Sequence, residues 1–504
     1  MFPVWLRTEH LINFVLVGLL MRSGWEVVAS HPRLYWRNDC GPGTEWLHFT
    51  KDKVPDEIGA FTARDDQRNI SPMLTLPGRA EIGLGRAWKA LLTSAWVILG
   101  VVYIVGLFST GQWRTLVPTS WSIIPDAWHS LTSYLSGHVP PSSAFQPFDP
   151  LQQLMYFAIV FLVAPLMIVT GPIMSPAVIG RFPWYPKIFG NRQAARSIHF
   201  LGMALITVFM IVHITLVFVV RPQKNLTAMV LGSEDPARLH TAVLVAVVTI
   251  VLVVALWIAL SYLTLVNRRR SQRVLYAITE PLRRMVLNPM HPRVNGRKPA
   301  YTDADISPFH WVNTRTPSQA ESAEYVALAA DDFKDYRLQV GGLVAEEKSF
   351  SLAELKQDFE VVHQIQMHTC MQGWTGIAKW TGVRLRDVLA IVEKKPEARY
   401  VMFTSFGLAQ KNYNPDDPLR PYYTCLPLDV AMEDETILAW GMNDPDKMHP
   451  MYGPPIRLRA NSIHGYKMVK WVKSIEWIAD YREIQDGQGG TREDSGLQYI
   501  NARI

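Results

Sequence analysis

The sequence predicts a two-part chain: an all-α bundle of about five transmembrane helices, then a soluble domain mixing strands and helices. Three observations carry this. Nearly all the long apolar runs lie within residues 1–267. The remainder of the 504 residues shows short alternating runs broken by glycine and proline. Finally, His199 and His213 both sit inside one bilayer-length run at 197–220. An ionisable group at that depth is costly and marks a functional site.

The elements follow in order. Residues 1–10 lack a charged n-region and a small-residue cleavage site, and the apolar run continues. They therefore read as the start of a span, not a signal peptide. Spans are expected at about 10–29, 87–108, 152–175, 197–220 and 240–266. Loop 30–86 is long and charged. Loop 109–150 carries Trp113, Trp121 and Trp128, which suit a membrane surface. The fifth span stops at the arginines of 268–270, and the basic, proline-containing stretch 271–305 reads as a linker. The expected division is 1–225 for a four-helix domain, 226–270 for an extra span, 271–305 for the linker and 306–504 for the soluble domain. There, 336–340 alternates as a strand does, and 399–403 and 456–459 read as strands. Residues 383–392 read as a short helix, and Ser351 with Glu354 forms a capping-box pattern.

Composition excludes several functions. The +6 net charge has no lysine-rich block, which argues against nucleic-acid binding. The three cysteines, Cys40, Cys370 and Cys425, form no CxxC pair. Iron–sulfur clusters, zinc knuckles and disulfide frameworks are not expected. Lysine and arginine counts place loops one and three and the soluble domain in the cytoplasm.

Fourteen residues bring His199 and His213 to within roughly 40° of the same face and about 21 Å apart along the helix axis. Two stacked haems in a bundle would require this; packing histidines bonded to neighbouring helices are the plain alternative. A bis-histidine haem needs two imidazoles at one depth. Spans one and four run antiparallel, so His10 pairs with His213. His199 lies toward the other surface.

Five features resemble the bacterial cytochrome b subunits of formate dehydrogenases and nickel–iron hydrogenases over about 5–225. They are His10, Ser-His-Pro-Arg-Leu-Tyr-Trp at 30–36, Gly-Arg-Ala-Trp at 85–88, Asp-Pro-Leu-Gln-Gln-Leu at 149–154, and Ala-Ala-Arg-Ser-Ile-His-Phe at 194–200 with His213. The resemblance implies haem b, electron exchange with quinone, and two haems on four histidines in a bacterial inner membrane. Where those subunits supply a histidine from the second helix, this chain has Lys89. A second haem at His199 then depends on His31 as a replacement ligand, or is absent.

In the soluble part the most specific stretch is Met-His-Thr-Cys-Met-Gln-Gly-Trp-Thr-Gly at 367–376, with Lys-Trp-Thr-Gly-Val following at 379–383. By residue chemistry alone, Cys370 is a small buried thiol. The stretch resembles the molybdenum-ligating segment of the sulfite oxidase family, in its bacterial methionine-sulfoxide reductase branch. That resemblance implies an α+β fold, a molybdenum–molybdopterin cofactor, and Cys370 as a thiolate ligand. It also implies pterin contacts from His310 and Asn313 in the segment 307–316. Arg457, Lys467 and Lys470 would hold the pterin phosphate, with Gly465 allowing close backbone approach. Residues 437–443 match a further family element, and Cys425 has no matching role.

Together these imply a membrane-bound molybdenum oxidoreductase. It would reduce a small S-oxide or N-oxide with electrons from quinol through haem b. A sulfite-type dehydrogenase feeding quinone is the reverse alternative, and a haem electron carrier or redox sensor is the non-enzymatic one. No twin-arginine signal precedes the fifth span, in keeping with a cytoplasmic catalytic domain.

Overall fold

The computed structural model describes residues 2–70, 82–140, 144–145, 148–282, 285, 301–410 and 418–496. Five helices among these are long and apolar enough to cross a membrane: Val4–Ser30, Trp88–Ser109, Pro150–Met174, Arg192–Val219 and Pro236–Thr264. Indole donors tie them together where no water competes. Trp257 donates to the Val15 carbonyl at 3.1 Å, Trp96 to Asn13 at 2.9 Å and Trp88 to Thr264 at 3.1 Å.

The third span is not one α-helix. Pro165 has no N–H to return to the preceding turn. The ladder widens into a π-helical turn over Ala158–Val163, resumes at Ala164–Thr170 and closes as a 3-10 turn, Gly171–Met174. Its start is fixed by Asp149, which caps the backbone of Leu151 and Gln152. Between spans two and three, Trp121, just before helix Ile123–Leu135, and Trp128 within it are 86% and 64% exposed. The stretch expected as a linker begins instead as a helix, Arg268–Leu282, built from good helix formers. Most of the rest of that linker, including 286–300, lies outside the described residues.

Loop one folds on the bundle as a two-stranded hairpin, β1 (Arg33–Leu34) with β2 (Leu47–His48). Helix Ala63–Arg68 follows, capped by Thr62. Buried Arg33 organises it, bonding both Asp66 oxygens at 3.0 and 3.1 Å and Glu45 at 2.5 Å. One carboxylate pair and one guanidinium therefore satisfy each other away from water.

The soluble domain is α+β. Its strands are β3 (Arg337–Gly342), β4 (Lys348–Ser351), β5 (Val361–Thr369), β6 (Thr375–Arg384), β7 (Tyr400–Gln410), β8 (Leu419–Pro427), β9 (Ile437–Met442), β10 (Arg457–Arg459) and β11 (Val472–Ile478). One sheet has the order β4-β3-β11-β7-β8, with β3 and β11 parallel; the other, antiparallel, has β10-β9-β6-β5. The main core is shared by both: Leu338, Val340, Phe403 and Ile475 from the first meet Val383, Leu438 and Leu458 from the second. The alternating stretch expected at 336–340 falls on β3, Arg337–Gly342, with Leu338 and Val340 inward. The capping box forms as read: Ser351 accepts from the Glu354 N–H while Glu354 accepts from the Ser351 N–H. The expected helix at 383–392 is shorter, Leu385–Ala390, because Val383 and Arg384 complete β6.

Candidate functional site

Cys370 lies in the tight turn joining β5 to β6. Its N–H bonds the Trp374 carbonyl at 3.1 Å, and Gly373 takes φ +121°, a conformation a side chain would strain. The thiol is 3% exposed. Its sulfur accepts from the Gln372 N–H at 3.5 Å and from Asn313 Nδ2 at 3.6 Å. Burial pushes the Cys370 thiol up, opposed by these two donors and by the nearby Arg86 and Arg192. A bound metal cation reverses that balance, since a coordinating thiol is deprotonated outright.

Below the turn lies a group of buried cations. The Arg457 and Arg459 guanidiniums stack on Trp380 at 4.7 and 4.6 Å from its ring centre. Arg459 reaches His368 Nδ1 at 2.8 Å and Gln366 at 3.3 Å; Lys470 donates to the Thr314 and Met451 carbonyls, both at 2.8 Å. Among the described residues none of the three pairs with a carboxylate, and the Nε atoms of both arginines are buried without a partner. So are His310 Nε2 and Asn313 Oδ1. Buried charge without a counter-ion is costly, so the arrangement fits an anionic group with ring donors and acceptors, as a pterin phosphate has. Burial lowers Arg457 to about 9, still cationic at neutral pH. It lowers His310 and His464 to about 3, so both stay neutral.

Of the residues expected here, the structure brings together Cys370, Asn313, His310, Arg457 and Lys470. His310 packs edge-on against Trp374 at 5.5 Å and against His368 at 5.3 Å. A Cβ at Gly465 would fall 2.4 Å from the His368 ring, so glycine is what lets that backbone approach. Lys467 is not brought into the group. Its ammonium is buried against Glu493, which neutralises it. Arg459, His368 and Gln366 were missed in the sequence. A signal existed: Arg457 and Arg459 alternate on one strand and so share a face.

The turn is held from the other side by the membrane half. Arg192 and Gln193, at the start of the fourth span, donate to the Gly373 carbonyl at 2.7 and 3.0 Å. Gln193 also reaches Thr375 at 3.1 Å, and Gln372 donates to Gln67 at 3.1 Å. Trp311 donates to the Cys40 carbonyl at 2.9 Å. Arg196 donates to the Arg33 and His31 carbonyls, both at 2.7 Å. His31 is wholly buried here, 5.8 Å from the Tyr35 ring and 5.1 Å from Trp311, with neither ring nitrogen hydrogen-bonded.

Deeper in the bundle, His10 and His213 face each other with ring centres 6.3 Å apart. Metal–imidazole bonds of about 2 Å on both sides of one iron call for ring centres roughly 6 Å apart, so this donor set fits a haem. Phe209 stacks on His213 at 5.4 Å. His199 meets the Thr170 hydroxyl at 2.9 Å through Nδ1, and that hydroxyl donates to the Leu166 carbonyl at 2.7 Å. Its one proton being used, Thr170 accepts from Nδ1–H, which assigns the lone pair to Nε2. The ring of His31 meets Tyr35 of loop one and Trp311 of the soluble domain, and His199 is not among its partners.

Comparison with known proteins gives two family matches. Residues 1–232 match the prokaryotic cytochrome b561 family and residues 325–484 the oxidoreductase molybdopterin binding domain. Two chains from Azospira oryzae, both named putative protein-methionine-sulfoxide reductase subunit YedZ1, are similar. One is 30% identical over 34% of this chain and 56% of its own length; the other is 27% identical over 46% and 95%. The protein-methionine-sulfoxide reductase catalytic subunit MsrP of Campylobacter jejuni is 27% identical over 31% of this chain and 53% of its own. This chain thus spans about half the length of two of these relatives.

Proposed function

From a chain that joins a prokaryotic cytochrome b561 domain to an oxidoreductase molybdopterin-binding domain, carrying haem b and molybdenum–molybdopterin, we propose an S-oxide or N-oxide reductase that draws electrons from membrane quinol. The carrying observation is the direct bonding of the Cys370 turn to the start of the helix bearing His199 and His213. The reductive direction is supported by the relatives named as sulfoxide reductases. The S–O or N–O bond breaks and its oxygen leaves as water, using the two electrons and two protons that quinol gives up.

Molybdenum bound at Cys370 supplies two-electron oxygen-atom chemistry, and haem supplies one-electron steps. The chain's own residues do the rest. Gln372 N–H and Asn313 Nδ2 hold the sulfur as acceptor. Arg457, Arg459 and Lys470 would hold the pterin phosphate. His10 and His213, whose rings face each other, would hold the haem. The soluble domain lies on the cytoplasmic side, supported by the excess of lysine and arginine there.

Metal analysis and turnover test this. The expected result is molybdenum near one per chain and haem oxidation on adding S-oxide to quinol-reduced enzyme. Haem reduction by sulfite without quinol would reverse the direction. Absence of molybdenum would leave a carrier or sensor.

A further inference from the structure

The side of the Cys370 turn away from the pterin group is built by the membrane half. Arg192, 1% exposed, spends both Nη atoms on the Gly373 and Met174 carbonyls and leaves Nε buried without a partner. Arg86, from the helix that leads into the second span, is close enough for its charge to favour the thiolate of Cys370. The Tyr35 hydroxyl, both His31 nitrogens and His464 Nδ1 are buried and unpartnered nearby. The loop carboxylates that face Tyr35 and His31, Asp66 and Glu45, are both paired with Arg33, at 3.0 and 2.5 Å. Among the described residues Arg192 has no carboxylate partner, and a buried guanidinium with a free Nε is a site for an anion. Its walls also decide size. Loop one and the fourth span grip the turn, and a folded protein's side chain cannot reach a thiol 3% exposed beneath them.

We infer that the membrane half roofs the active site, and that the substrate is a small anionic S- or N-oxide bound by Arg192 and Arg86, not an oxidised residue of a folded protein. This rests on the reductase reading above and deepens it. The balance is the one given there, with the negative charge on a part of the substrate that does not react.

The test uses the full-length enzyme with reduced viologen as donor. Its substrates are a carboxylate-bearing S-oxide, a neutral S-oxide of similar size, and an oxidised folded protein. The anionic substrate should show a kcat/KM at least about tenfold above the neutral one, and the protein should not turn over. In Arg192→Gln that ratio should fall about tenfold, mainly through KM, and Arg192→Lys should keep most of it. Arg86→Gln, on another element, provides the same reading if Arg192→Gln does not fold. Inorganic sulfate, a non-reacting oxyanion, should alter the Mo(V) EPR spectrum of the wild type and not of Arg192→Gln. Turnover of the protein at comparable kcat/KM, equal kcat/KM for charged and neutral substrates, or an unchanged EPR spectrum with sulfate would overturn the inference. If no S- or N-oxide of any kind is reduced, the reductase reading itself fails.

Discussion

At the scale of single residues, the proposed chemistry rests on Cys370 and the histidines and cations around it. Cys370→Ser should abolish oxygen-atom transfer while the haem absorption spectrum stays intact, because the haem pair sits in other elements. Full turnover in that variant sinks the molybdenum assignment. His310 gives a second handle. Its folded-state pKa of about 3 lies below the ordinary value of 6.5. The unfolded chain therefore binds a proton that the fold refuses between those limits, and stability falls as pH drops from 6.5 toward 3. The slope from this one group is at most about 1.4 kcal/mol per pH unit. Cofactor-free protein melted across that window should lose stability, and His310→Gln should flatten part of the slope; an identical slope in the variant contradicts it. Cys370, His310 and Asn313 could be named as candidates because each sits in a short local segment, and the fold places them together. Lys467 was misread because the partner that neutralises it, Glu493, arrives 26 positions later. No local pattern announces such a pairing.

At the scale of elements, the spans and most strands were readable from periodicity and from single residues with a fixed conformational effect. The Ser351–Glu354 box is one case. Ser351→Ala should cost about 1 kcal/mol, lowering the soluble domain's Tm by about 2–4 °C without changing catalysis. Thermal unfolding followed beside an activity assay checks both halves of that statement. The third span was read as continuous because its hydropathy is; the π turn before Pro165 comes from a missing N–H, which hydropathy does not register. Spans one and four carry a functional expectation of their own. His213→Ala should remove the haem band and quinol-driven turnover while leaving molybdenum content and viologen-driven turnover in place. Loss of the viologen activity as well would mean that the histidine pair holds the fold and not only the haem.

At the scale of the whole molecule, what the sequence could not disclose is the contact between the halves. Arg192, Gln193 and Arg196 occupy the first two turns of an otherwise apolar span, and by hydropathy they read as a charged flank that orients the helix in the bilayer. In the fold they are buried, each bonded to backbone outside its own helix. Some of the arginines that set the inside-outside bias therefore serve docking. The contact itself fixes sidedness, because the Cys370 turn reaches the start of span four and Trp311 packs on His31 at the end of span one. Loop one, loop three and the soluble domain must face one compartment, and the loops after spans two and four the other. An impermeant amine reagent on sealed vesicles should modify Lys51 and Lys334 together, both exposed, and leave exposed Lys224 untouched, or the reverse in inverted vesicles. With the soluble domain cytoplasmic, the first pattern belongs to inside-out vesicles. Joint labelling of Lys224 with Lys334 in sealed vesicles of either orientation would be incompatible with the docked arrangement, whichever compartment holds the molybdenum site.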